Sequence, residues 1–284
     1  MSNLHQRILG LPGQAAWSAG GNLAAARQLT SGFGLLTAAV AVAGSGSSGT
    51  LASCEEYDGT TWSAGGDLSE INYHTTLGTQ TAGLAAGGLY GFFYILDSSN
   101  EYDGTAWANT ATMTSPRMGG GAAGIQTAGL IFSGTTDGSA ASVTCDEYDG
   151  TGWSAGGTLP TSHLYPSAAG VQTAALVAGG GNAGLPDTAT SEYDGTTWAS
   201  GGVLTVSRML AGGGGTQTNA VCHAGMDGGD AYSSSENYNG SDWATGQSLI
   251  AARFTHGSAG TATAALAIAG GDNVGALDTS EEYA

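Results

Sequence analysis

Short apolar runs recur along the chain, each closed by a glycine. They read TAAVAVAG to Gly44, TAGLAAGG to Gly88, TAGLIFSG to Gly134, TAALVAGG to Gly180, TNAVCHAG to Gly225 and TAALAIAG to Gly270. Runs this short and this rich in Ala, Val and Leu predict buried strands, because a helix needs more length to bury one face. The aromatic residues keep the same beat. Trp17, Trp62, Trp107, Trp153, Trp198 and Trp243 stand 45, 45, 46, 45 and 45 residues apart. Tyr57, Tyr102, Tyr148, Tyr193 and Tyr238 each stand five residues before a Trp, in the texts EYDGTTW, EYDGTAW, EYDGTGW, EYDGTTW and NYNGSDW. Asp-Gly or Asn-Gly between two short runs predicts a hairpin with a two-residue type I′ turn, whose central residues both need φ > 0. Tyr and Trp then sit on its two arms, where aromatic rings suit a pleated surface. A fourth strand fits between the position ten after each Trp and a G-x-Q-T turn such as Gly78–Thr81. No capped helical pattern of useful length occurs.

Four strands per repeat and six repeats predict an all-β, six-bladed β-propeller of four-stranded antiparallel blades. The abundant Gly and Ala suit inner strands that converge on a narrow axis. The ends are complementary. Trp17 has Pro12 where the tyrosine belongs, and Tyr283 is followed only by Ala284. The orphan Trp and orphan Tyr complete one repeat if the N-terminal strand pairs with the C-terminal strand, which closes the ring and hides its edges. Residues 14–284 are read as the propeller. Residues 1–13 (MSNLHQRILGLPG) are a separate segment, either a docking peptide or a frayed end, too short and too weakly apolar for a secretory leader.

Charge narrows the function. The 284 residues carry 23 Asp+Glu against 5 Lys+Arg, a net charge of −18, and all five cations are arginines. No basic stripe is available to neutralise phosphates, so no nucleic-acid partner is expected. No run of 18 apolar residues exists, so membrane insertion is not expected.

The glycine-terminated strand, Glu-Tyr-Asp, Trp and a linker to an arginine together resemble the kelch repeat over about 270 residues. The period is shorter than the ~50 usual for kelch and near that of WD40, but the Gly-His and Trp-Asp marks of WD40 are missing. The double glycine is intact at Gly87-Gly88 and Gly179-Gly180 and is Ala-Gly or Ser-Gly elsewhere. The Gly/Ala/Thr-rich composition also resembles that of kelch-like proteins of tailed bacteriophages.

Two features are candidate sites. Ten residues after each Trp stand Arg27, Asn72, Arg117, His163, Arg208 and Arg253, with the second repeat one residue short. Around a six-fold ring these would circle the channel mouth. They either bind an anion, for which the planar guanidinium fork is suited, or satisfy backbone carbonyls of a neighbouring blade. The resemblance to kelch implies the former. The second feature is the loop LYGFFYILDSS, where Tyr90, Phe92, Phe93 and Tyr94 crowd together in a protein with only five Phe. It either meets a partner or folds over its own blade. The repeated Glu and Asp around each Tyr read as a solvated rim.

No catalytic, metal or cofactor set is read. Three G-x-G-x-x-G matches occur where 18% glycine gives about one or two by chance, and none opens a helix. His74, His223 and His256 are read as occupying different repeat positions. Cys54, Cys145 and Cys222 read as small buried residues. SEYDGTTW (Ser191–Trp198) resembles the sialidase Asp-box, but its Asp and Gly are adjacent. The expectation is therefore a non-enzymatic binding or structural module of a phage virion, tail-associated or on the surface, whose partners are other virion proteins or a host-surface protein or glycan. A cytoplasmic kelch-type adaptor and a sialidase-like enzyme are the alternatives.

Overall fold

The computed structural model describes residues 15–68, 72–91, 93–182 and 185–284. Its strands form six four-stranded antiparallel sheets. Blade 1 comprises Ser31–Leu35, Ala38–Val42, Glu55–Tyr57 and Trp62–Ala64, here called strands a, b, c and d from the axis outward. Blade 2 starts with strand a at Thr75–Thr79, blade 3 at Gly121–Ile125, blade 4 at Ser167–Val171, blade 5 at Gly212–Thr216 and blade 6 at Gly257–Thr261.

Blade 6 is completed from the other end of the chain. Leu277–Tyr283 is its strand c and Trp17–Arg27 supplies strand d, in the register Trp17↔Tyr283, Ser18↔Glu282 and Ala19↔Glu281. The rings of Trp17 and Tyr283 lie 5.3 Å apart, matching the within-blade pairs Tyr57–Trp62 and Tyr193–Trp198 at 4.8 Å. The complementary ends therefore close the ring as the repeat pattern predicts.

The hydrophobic core sits between blades. One cluster joins Leu130 and Phe132 of blade 3 to Val177, Tyr193 and Trp198 of blade 4, and other clusters occupy the remaining interfaces. Burial in strand b is nearly continuous, as in Ala38–Val42, because both faces of each sheet meet a neighbour.

Polar side chains fasten the same interfaces. Five of the six repeated tyrosines donate their phenol proton to the Glu of the preceding blade: Tyr57 to Glu282, Tyr102 to Glu56, Tyr148 to Glu101, Tyr193 to Glu147 and Tyr238 to Glu192. These glutamates are thus inter-blade acceptors and not merely a solvated rim. Burial, then the carboxylate, pushes the Tyr57, Tyr102 and Tyr238 phenols up to about 12. The glutamine of the G-x-Q-T turn also reaches back. Gln80 donates to the carbonyls of Ala39 and Tyr57, and Gln126, Gln172 and Gln217 repeat the bond.

Two local expectations are corrected. The Asp-Gly segment is not a two-residue type I′ turn. Tyr57 pairs with Trp62 across four loop residues, and only Gly59 has positive φ. Asp58 Oδ1 instead accepts the N–H groups of Thr60 and Thr61, as an Asx turn does. Both members of the double-glycine position lie at positive φ in every blade, for example Ala224 at 59° and Gly225 at 88°. The first lies in the left-handed helical region, which Ala or Ser can occupy at about 1–2 kcal/mol. The second position is sterically closed: a Cβ on Gly225 would stand 2.7 Å from the Met209 carbonyl oxygen.

Candidate functional site

Strand polarity gives the ring two faces. The a–b and c–d turns share one. The b–c loops and the crossings between blades share the other, here the loop face.

The arginines do not circle an open channel mouth. Arg27, Arg117, Arg208 and Arg253 are at most 1% exposed, and each guanidinium lies inside the blade that follows it in the chain, between the end of strand b and the start of strand c. Arg208 Nη1 donates to the carbonyls of Ala224 and Ser234, and Nη2 lies 3.1 Å from Glu236. Arg253 makes the same bonds to Ala269, Thr279 and Glu281, Arg27 to Ala43, Ser53 and Glu55, and Arg117 to Ser133, Thr144 and Asp146. Burial draws the Arg27 and Arg253 pKa down, opposed by Glu55 and Glu281. The carboxylates also hold the crossing segment: Glu236 accepts from the N–H of Thr205 and Val206, and Glu281 from that of Ile250 and Ala251. A guanidinium enclosed and neutralised this way is out of reach of a dissolved anion, even though the Nε of Arg117, Arg208 and Arg253 has no partner.

Charge is placed here in pairs. Where the arginine is replaced by His163, the acid position holds Ser191, and the imidazole bonds to Gly179 O at 2.7 Å and Ser191 Oγ at 3.4 Å. In the shortened blade 2 Asn72 is not the counterpart of the arginines: it bridges Leu89 as Met118, the residue after Arg117, bridges Thr135, so the arginine position falls on Ile71, outside the described residues, and the acid position holds Asn100. A buried charge keeps its partner or both are absent, because an unpaired one costs several kcal/mol. His163 is fully buried and belongs to this structural set.

The blade-2 loop has a structure of its own. Leu89–Tyr90 and Tyr94–Ile95 form a two-stranded hairpin on the loop face. Tyr90 is 52% exposed, Phe93 86% and Tyr94 68%, so these rings do not fill a gap in the blade; Phe92 lies outside the described residues. Leu185 of the blade-4 loop and Val274 of the blade-6 loop are exposed on the same face. Residues 1–13 also lie outside the described residues.

A channel of about 270 Å³ follows the axis. Strand a is the inner end of every sheet, so its unpaired backbone edge faces this space. Hydroxyls bridge the edges of adjacent blades: Ser31 donates to His74 O, Thr75 to Gly120 O, Ser167 to Gly212 O and Ser258 to Gly213 O. Above strand a, one residue per blade takes positive φ: Leu29, Tyr73, Gly119, Tyr165, Leu210 and Thr255, at 51–63°. Consecutive members are tied by backbone bonds, as in Gly119 N to Tyr73 O and Leu210 N to Tyr165 O. The Tyr73 and Tyr165 rings meet at 5.2 Å. They need glycine at 119, where a Cβ would stand 2.3 Å from the Tyr165 ring.

The histidines need correction. His74 and His256 share one repeat position, directly after this positive-φ residue; the short second repeat obscures the match. His223 reaches His256 from strand b of blade 5, with His256 Nε2 3.1 Å from His223 Nδ1. Among the described residues no group of three metal-ligating side chains forms. Burial pushes the His223 imidazole down to about 3, with Arg253 and Arg208 adding to it, and His256 well below its ordinary value. An unfolded histidine titrates near 6.5. Between pH 6.5 and 3 the unfolded chain therefore binds more protons at these sites, and stability falls as pH drops through that window. His223 alone should remove about 3 kcal/mol of stability by pH 4.5. Urea unfolding at pH 7 and pH 4.5 checks this. The wild type should lose about that much more than His223→Gln, and equal losses would contradict the assignment.

Fold and channel together define a six-bladed β-propeller. A solved structure titled "Structure of YjhT" shares this fold with a TM-score of 0.77, over 91% of this chain and 95% of that one, at 12% identity. No family model and no curated protein matches the sequence.

Proposed function

We propose that this propeller is a non-enzymatic binding module of kelch type, carried on a phage particle as a tail-associated or surface protein, and that it contacts other virion proteins or the host surface through its loop face. The observation that carries this reading is the blade-2 hairpin. It presents Tyr90, Phe93 and Tyr94 to solvent on a scaffold whose blades are fastened at several points. Exposed aromatics on a rigid support cost little entropy when a partner covers them, and such residues anchor interfaces. The charged groups that would serve acid–base or anion chemistry at the repeated arginine position are engaged inside the blades, which supports binding over turnover. The particle setting is supported by the Gly/Ala/Thr-rich kelch-like composition.

The combined substitution Tyr90→Ser, Phe93→Ser and Tyr94→Ser tests the surface. These rings contribute little to the blade, so the melting temperature should stay within about 2 °C. Binding to purified particles or host envelopes should fall at least tenfold, the size of one lost anchor. Unchanged binding, or a collapsed fold, would contradict the assignment. Turnover of a fluorogenic sialoside would overturn the non-enzymatic reading.

A further inference from the structure

The sequence has no lysine, and Arg27, Arg117, Arg208 and Arg253 are buried against carboxylates. His74, His163, His223 and His256 are buried as well. Among the described residues, therefore, no cationic side chain reaches the surface, and every exposed ionised side chain at neutral pH is Asp or Glu. Net charge alone does not show this. Arginines on the loop face would have given it both signs; their burial leaves it one.

Two of these carboxylates flank the aromatic hairpin. Asp97 follows Tyr94 by three residues, at the foot of the same loop, and is exposed. Asp137 is exposed on the blade-3 loop, whose turn abuts the hairpin: a Cβ on Gly138 would stand 3.9 Å from Ile95 Cδ1. Hydrogen bonds from Ser139, then from Ala140, hold the Asp137 carboxyl down at about 2, so it is ionised at neutral pH. Such a surface selects what covers it. Nucleic acid, an acidic lipid or an acidic glycan meets like charge, and so does a second copy of this chain. A neutral glycan would cover the rings but gain nothing from the carboxylates. A Lys or Arg gains from both. Its cation is attracted to the face of an exposed ring, its charge pairs with the neighbouring carboxylate, and its alkyl stem packs on the apolar surface.

We propose that the partner of the blade-2 hairpin is a protein surface bearing Lys or Arg, whose cations lie over the rings of Tyr90, Phe93 and Tyr94 and pair with Asp97 and Asp137. This rests on the hairpin being the contact surface, and it names the chemistry of what the hairpin meets.

Binding of the full chain to purified particles or host envelopes, read by biolayer interferometry, is the test. Raising NaCl from about 50 to about 500 mM shortens the reach of charge to a few ångströms and should weaken binding at least tenfold. Asp97→Asn with Asp137→Asn removes both charges and keeps a residue that supports the Asx turn. It should weaken binding roughly fivefold at the lower salt, flatten the salt dependence and leave the melting temperature unchanged. Binding that ignores salt, or a folded double variant that binds like the wild type, would overturn the cationic partner and favour a neutral glycan. Loss of binding in EDTA would overturn it too, because divalent ions would then be bridging two anionic surfaces. The Tyr90→Ser, Phe93→Ser and Tyr94→Ser triple variant separates the two readings. If it loses binding while salt and the aspartates have no effect, the hairpin remains the contact surface and only its cationic partner falls. If it binds like the wild type, both fall.

Discussion

Deleting Ser280–Ala284 should abolish the folded monomer. Four of these five residues belong to the third strand of blade 6, and their loss breaks pairings on both sides: Ala265↔Tyr283, Leu266↔Glu282 and Ala267↔Glu281 inward, Trp17↔Tyr283 and Ser18↔Glu282 outward. The deletion also takes Glu281 from Arg253 and Glu282 from the Tyr57 phenol. An uncompensated buried guanidinium alone costs about 3–5 kcal/mol. A further loss comes from the buried Tyr283 ring, worth roughly 3 kcal/mol or more when removed from a core. The sum is comparable with the whole stability of a typical domain. Two unpaired strand edges would then face solvent, which favours association. Size-exclusion chromatography and near-ultraviolet circular dichroism should show aggregates without fixed aromatic packing. A monomer with an unchanged melting temperature would mean that ring closure contributes nothing.

The second large effect concerns Arg208 and Glu236. Arg208→Met strips the carbonyls of Ala224 and Ser234 of a donor and leaves Glu236 buried without its counter-charge. The expected loss is about 3–5 kcal/mol, a fall in melting temperature of roughly 10 °C. Glu236→Gln should cost a comparable amount, since it leaves the Arg208 guanidinium buried without its counter-charge even though the crossing segment keeps one acceptor. Blade 4 shows how the site survives without charge: His163 with Ser191. The double change Arg208→His with Glu236→Ser copies that arrangement into blade 5. It should lose at least 2 kcal/mol less than the sum of its two single changes, the coupling expected of a buried pair. Additive losses within about 0.5 kcal/mol would mean that the two residues act independently.

Much of the architecture is legible in the sequence because the physics repeats. The 45-residue beat of Trp, the apolar run and its glycine each mark one strand or strand end, and Pro12 and Tyr283 betray the shared blade. The depth of the arginines was not legible. A repeat position fixes where a residue stands along a blade, but not whether its side chain faces the axis or turns into the sheet. The signal that could have placed them is the residue two before each Tyr, which is Glu or Asp in the four arginine blades and Ser or Asn in the other two. The tyrosine–glutamate bonds were hidden for a related reason: the Glu is adjacent to a Tyr in sequence but bonds to the Tyr of the next blade, some 45 residues on. The His223–His256 contact joins two different repeat positions on neighbouring blades, which a comparison of equivalent positions does not detect. The one-residue shortening near Asn72 masked the equivalence of His74 and His256.

Among the exposed features, the blade-2 loop was legible as an aromatic cluster, and its hairpin shows why it stays outside. The two strands across Tyr90↔Tyr94 give the loop a hairpin of its own, which bonds to the crossing segment at Asn72 and leaves Tyr90, Phe93 and Tyr94 exposed. The acidic turns of the opposite face are capped by their own N–H groups, as at Asp149 and Asp194, which suits solubility more than recognition.

The claim that this propeller works as a particle-borne binding module is tested most directly by photo-cross-linking from position 94 in intact particles, followed by a mass-spectrometric inventory. The result expected is the propeller in the purified particle, joined through residue 94 to another virion protein or a host-surface component. Its absence from particles, with cross-links only to cytosolic proteins, would contradict the account.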